Sequence, residues 1–242
     1  TLHAIGVLMG KGRAYKNVIC LGHVLDSSGK KMSKSLGNVV DPWDVMNIYG
    51  VDALRLWMYT VNSPGDSKNF DEKTVDEIVK KVFNPILNIV VFYELYKDES
   101  IKPSDKSKNV LDKWILSKLN KMINDGTKNL NEFKVFESAR MIRDFANDFS
   151  TWYIRRSRDR FKSEDVGERS EALSTTSFVL TELVKYMAPF TPFFSESIYQ
   201  RVKTSHSEES VHLCVWPTRS KFDQELLDNM DEVRGVVTGA LE

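Results

Sequence analysis

The chain has only two cysteines, Cys20 and Cys214, far apart and neither in a C-x-x-C pair. That excludes a disulfide framework and a ribbon-type zinc site, and fits a reducing cytosol. No apolar run approaches a membrane span, and the amino end lacks a signal-peptide pattern. Net charge is missing as well. The 34 Lys and Arg balance 34 Asp and Glu, so any electrostatic footprint must be local. There is no repeat of fixed period and no G-x-x-x-x-G-K-[ST] phosphate loop. What is there is 242 residues, 41% of them hydrophobic, enough for one large domain or two smaller ones. The first residue is Thr1, not Met. This reads as a cut point within a longer protein, although a processed or tagged terminus would look the same.

The first sixty or so residues read as α/β. Asn17 to Leu25, "NVICLGHVL", has the composition of a buried strand. A loop follows, and then "DPWDV". Asp41 suits an N-cap, Pro42 the first helical position, and Asp44 the positive end of the helix dipole. This helix should stop at Gly50. Asp52 should cap the next, with Leu54, Leu56, Trp57 and Val61 on its apolar side. "NSPGDS", Asn62 to Ser67, is turn chemistry and marks a domain boundary. Beyond it, helical spacing dominates. Val75 to Val91 form one apolar stripe that Pro85 should kink. A polar connector spans Ile101 to Asn109. A second helix carries Leu111 to Ile123 and should weaken at Gly126. A third runs from Val135 to Ile154 and a fourth from about Glu168 to Met187, broken by Pro189 and Pro192. An amphipathic segment follows from Phe193 to Val202. "SVHLCVWP", Ser210 to Pro217, is strand-like, and a last helix begins near Asp223. The fold class expected is mainly α, with the end of a Rossmann-like α/β domain followed by an up-and-down helical bundle.

Chemistry concentrates in Gly29 to Asn38, "GKKMSKSLGN". A polyphosphate needs several positive donors that converge on its oxygens. Lysine supplies a compact ammonium on a flexible stem, serine adds donors, and small residues let the backbone come close. Gly29 and Gly37 permit the turns. A loop anchored by a strand and a capped helix, with a charged tip, can stabilise charge that develops only during reaction. The plainer alternative is that lysines and serines are what exposed loops contain.

Lys31-Met32-Ser33-Lys34-Ser35 resembles the KMSKS signature of the class I aminoacyl-tRNA synthetases. The stretch from Asp26 to Tyr59 looks like the passage around that signature in the isoleucine, valine and leucine subgroup. "FSTWYIRRSRDRF" (149–161), "MAPFTPFFSESIYQ" (187–200) and "SVHLCVWP" are similar to the isoleucyl members in particular. The resemblance implies a two-step reaction: isoleucine and ATP give the adenylate and pyrophosphate, and the isoleucyl group then passes to tRNA(Ile). Lys34, assisted by Lys31, would be catalytic and would stabilise the leaving pyrophosphate. Lys31, Ser33, Lys34 and Ser35 would together meet the ATP phosphates, with Mg2+ arriving with the nucleotide and no protein metal site. Residues 1–65 would be the end of the catalytic domain, and 66–242 the stem-contact and anticodon-binding helical domain, in a cytoplasmic monomer that does not engage membranes. The alternatives are a valyl or leucyl relative, or a stand-alone RNA-binding adaptor. The family's His-x-Gly-His element is absent, since His3, His23, His206 and His212 do not form it. The chain is therefore expected to be inactive alone and its loop mobile.

Arg155, Arg156, Arg158, Arg160 and Lys162 form the densest basic run, with Trp152, Tyr153 and Phe161 interleaved. Arg155, Arg158 and Lys162 share one helical face, and Arg156 and Arg160 another. RNA contact by the four arginines is one reading. The other is a structural one: aromatic core, with Asp148, Asp159 or Glu164 pairing the arginines. Trp43 and Trp57 read as packing under the loop, His206 and His212 as incidental, and Lys80 and Lys81 as ordinary surface that could touch a tRNA stem.

Overall fold

The computed structural model describes residues 1–218 and 221–240. After a first helix, α1 (Leu2–Leu8), the chain is irregular until β1 (Val24–Leu25), which pairs in parallel with β2 (Lys68–Asn69). The strand expected over Asn17 to Leu25 thus shrinks to its last two residues. Leu21 is 78% exposed, and Val18 and Ile19 also face out. An apolar run becomes a buried strand only where a sheet edge and a covering layer exist, and β2 is the one edge paired with it among the described residues. At Gly22 the chain crosses the Pro64 turn, its N–H donating to the Pro64 carbonyl at 2.8 Å. A Cβ there would overlap the Asp66 carbonyl.

Helix α2 (Pro42–Tyr49) starts as its sequence dictates, with the Asp41 carboxylate accepting the Trp43 N–H at 2.9 Å. Gly50, at φ +86°, turns the chain into α3 (Val51–Thr60). Asp52 does not cap α3. It sits in the first turn, and its Oδ2 accepts the Phe194 N–H at 2.6 Å, capping α10 (Pro192–Val202) instead. Burial raises the Asp52 carboxyl above its ordinary value. Three residues on, Arg55 donates to the Pro189 and Phe190 carbonyls at 3.1 and 3.2 Å. Arg140 donates to the Thr60 carbonyl at 3.2 Å. Helix α3 is therefore tied to the helical part along its length.

The long apolar stripe divides into α4 (Glu72–Ile78), a π-turn over Val79–Phe83, and α5 (Asn84–Tyr96). Pro85 lies in the first turn of α5, where its missing N–H costs little, and the π-turn just before it takes up the register change. Helix α6 (Val110–Asn131) continues through Gly126 rather than fraying. Gly126 is where α6, α7 (Val135–Asn147) and α9 (Val166–Met187) meet. Ser138 Oγ donates to the Gly126 carbonyl and Tyr186 Oη to the Ser138 carbonyl, both at 3.0 Å. A second π-turn, Asp148–Ile154, joins α7 to α8 (Arg155–Phe161). The last helix is α11 (Gln224–Gly239), capped by Asp223.

"SVHLCVWP" forms no strand. Val211–Leu213 is a 3-10 turn held by Glu196, which accepts the Ser210 hydroxyl and the Val211 N–H at 2.9 Å each. Leu213 and Val215 are exposed. Trp57 packs beneath the lysine loop and donates to Thr74 Oγ1 at 2.7 Å. Trp43, expected beside it, is 70% exposed.

Candidate functional site: a lysine loop and a basic helix

The loop from Asp26 to Asn38 is built as a hairpin and a turn. Asp26 and Lys30 close the hairpin, the Asp26 N–H reaching the Lys30 carbonyl at 2.9 Å, and Leu25 bridges Lys31 in antiparallel fashion. Gly29 supplies the positive φ, +79°. Met32 then turns inward to an apolar cavity of about 250 Å³ shared with Val40, Val45, Leu54 and Phe70. Ser33 is extended, and its hydroxyl accepts the Leu36 N–H at 3.3 Å, capping a 3-10 turn over Lys34–Leu36. Ser33 and Ser35 hydroxyls lie 3.0 Å apart. Gly37, at φ +65°, ends the turn.

The five-residue motif therefore has two sides. Met32 anchors and Ser33 caps, while Lys31, Lys34 and Ser35 face solvent. Neither Lys31 nor Lys34 has an ion-pair partner among the described residues, so both ammonium groups are free for an anion. Among those residues no cluster of three His, Cys, Asp or Glu could hold a metal.

The basic run divides. Arg155 and Arg158 are exposed and unpaired among the described residues. Arg156, also exposed, lies over the Trp152 ring at 3.6 Å, and Arg234 of α11 approaches the same ring at 5.0 Å. Arg160 was expected to reach RNA, and this is corrected: it is 7% exposed and points inward. Its Nη1 and Nη2 grip Asp112 Oδ1 and Oδ2 at 2.6 and 2.8 Å. Tyr153 Oη donates to Asp112 Oδ1 and Ser107 Oγ to Oδ2, at 2.8 and 2.7 Å. Burial, and then the Asp112 charge, push the Tyr153 phenol well above its ordinary value. Tyr153 and Phe161 are core, as the structural reading had it, whereas Trp152 is half-buried. The acidic partners differ from those expected: Asp112 and Glu168 face Arg160, and Asp148 pairs with Arg234 and Lys118. Arg160 stands seven residues after Tyr153 on the inward stripe, a signal the sequence did contain. Asp112 and Arg234, from distant helices, left no comparable mark. Lys80 and Lys81 pair with Asp76 and Glu77 four residues before them.

A capped lysine turn joined to a helical bundle with exposed arginines matches known proteins in both halves. Residues 1–71 match the class I tRNA synthetases for I, L, M and V, and residues 112–240 match the anticodon-binding domain of tRNA ligases. The chain belongs to the class I tRNA synthetases that carry this anticodon-binding domain. Its curated relatives narrow the likeness further. It is 42% identical over 238 residues to the isoleucine–tRNA ligase of Clostridium novyi, spanning 95% of this chain and 23% of that protein. It is 38% identical over 249 residues to that of Thermus thermophilus, spanning 98% and 24%. The chain thus spans about a quarter of the length of these relatives. Among solved structures, the fold is similar to LeuRS of Agrobacterium radiobacter K84 in its ternary complex with tRNA and LeuAMS. The TM-score is 0.67 at 22% identity, covering 93% of this chain and 26% of that one. Methionyl-tRNA synthetase of Mycobacterium tuberculosis gives 0.60 at 19% identity, covering 72% and 36%.

Proposed function

We propose that this chain is a segment of an isoleucine–tRNA ligase, which activates isoleucine with ATP and passes it to tRNA(Ile). Residues 1–65 close a Rossmann-like catalytic domain and 66–242 form the tRNA-binding helical part. The observation that carries the reading is the two-sided loop: Met32 and Ser33 spent on holding the backbone, Lys31 and Lys34 left free. Lys34, on the 3-10 turn, meets the leaving pyrophosphate, Lys31 assists, and Ser35, steadied by Ser33, adds a donor. Donors fixed beforehand stabilise developing charge without reorganising during the reaction. Magnesium would come on the ATP phosphates and share their charge with the lysines. Arg155, Arg156 and Arg158 meet the RNA backbone, with Trp152 under Arg156 as a stacking surface. With one wall of the ATP site only, the segment alone forms no adenylate.

The test is Lys34→Ala in a full-length isoleucine–tRNA ligase carrying this segment. We expect isoleucine-dependent ATP–pyrophosphate exchange to fall by about 10²–10³-fold with tRNA affinity nearly unchanged. Equal losses in both would show that the loop is not a phosphate device.

A further inference from the structure

Two side chains at the base of the loop hold it shut. Asn38 Nδ2 donates to Asp26 Oδ2 at 2.8 Å and to the Lys31 carbonyl at 3.3 Å, and its Oδ1 accepts the Ser33 N–H at 2.9 Å. Asp26 Oδ1 accepts the Ser28 N–H, the Ser28 hydroxyl and the Lys30 N–H at 3.0, 2.8 and 2.8 Å. One acid and one amide, twelve residues apart, thus gather four backbone groups from both limbs of the loop. They grip it on each side of Met32, at the carbonyl of the first lysine and at the N–H of the residue that caps the turn bearing the second.

We propose that Asp26 and Asn38 are positioning residues, a clasp that fixes how the backbone presents Lys31 and Lys34 to the phosphates. The inference rests on the phosphate reading of the loop. Its chemistry follows from the donor count. An unpaired carboxylate beside a polyphosphate would oppose its binding. Here both carboxylate oxygens are engaged by N–H and O–H groups, so the acid serves as a hub for the backbone and its charge faces donors rather than ligand. Asn38 is suited to the other half because its amide carries both a donor for the carboxylate and an acceptor for the Ser33 N–H. The lysine stems are flexible, so the reach of their ammonium groups depends on where the backbone sets their roots. A displacement of about 1 Å at a reacting group costs on the order of 10² in rate.

In a full-length isoleucine–tRNA ligase carrying this segment, Asn38→Ala should lower kcat of ATP–pyrophosphate exchange about 10²-fold. KM for isoleucine and the melting temperature should stay as in the parent. The reciprocal pair Asp26→Asn with Asn38→Asp keeps a donor–acceptor bond across the loop and an acceptor for the Ser33 N–H, and should recover most of that rate. In the 242-residue chain, amide exchange at Lys30 and Ser33 should quicken in Asn38→Ala and slow again in the reciprocal pair. Parental kcat in Asn38→Ala, beside a Lys34→Ala enzyme that has lost it, would overturn the clasp and leave the phosphate reading standing. Parental kcat in both would overturn both. A fall in kcat matched by a rise in KM for isoleucine and a lower melting temperature, with no recovery in the reciprocal pair, would reduce the contacts to general stability and overturn the proposal.

Discussion

At the scale of single residues, the arginines show why a charge run cannot be read from composition. Arg155 and Arg158 stay in water, while Arg160, two positions further, is held bidentate by Asp112 in the interior. Breaking a buried pair strands a charge at a cost of about 3–5 kcal/mol. Asp112→Ala should therefore lower unfolding free energy by about that much, measured by urea denaturation. Arg155→Ala with Arg158→Ala should leave it within about 0.5 kcal/mol. The same scale carries a pH effect. Asn38 first, and then the Lys30 N–H and the Ser28 hydroxyl, hold the Asp26 carboxyl at about 2, against 3.8 ordinarily. A depressed carboxyl stabilises the folded loop above its unfolded value and loses that contribution as pH falls toward 2. The Asn38 side-chain amide resonances should accordingly titrate with a midpoint near 2. A midpoint near 3.8 would mean that the clasp is open in solution.

At the scale of elements, helices were legible and strands were not. Apolar spacing places α4 to α10, and Asp41, Pro42 and Gly50 set the ends of α2, because helix bonds and caps are local to the sequence. A strand needs a distant partner, so "NVICLGHVL" and "SVHLCVWP" carried the composition without the pairing. Asp52 was misassigned for a related reason: its acid lies in a favourable first turn, yet the N–H it serves is 142 residues away. The clasp was hidden likewise, since nothing in the spacing of Asp26 and Asn38 announces a contact. Gly126 looked like a helix breaker but is a packing device, because a Cβ there would overlap the Tyr186 hydroxyl. Gly126→Ala should cost about 1–3 kcal/mol, as overpacking does. Gly235→Ala, in α11 with nothing within 4 Å of its Cβ, should gain up to about 1 kcal/mol from helix propensity. Thermal melts of the two variants check the pair, and shifts of the same sign would contradict this account of Gly126.

At the scale of the whole molecule, α3 joins the lysine loop to the helical bundle. Asp52 caps α10, Arg55 holds the turn between α9 and α10, and Arg140 of α7 returns the contact. In the proposed function this segment meets tRNA with Arg155, Arg156 and Arg158 on the exposed side of α8. The most direct test is titration of the 242-residue chain with labelled tRNA(Ile) across a series of salt concentrations. Removing Arg155 and Arg158 together should weaken binding at every salt concentration and flatten the dependence of log K on log salt by about two counterions. Arg160→Ala should cost stability while leaving that slope as it was. Unchanged affinity and slope in the Arg155, Arg158 double variant would contradict the account.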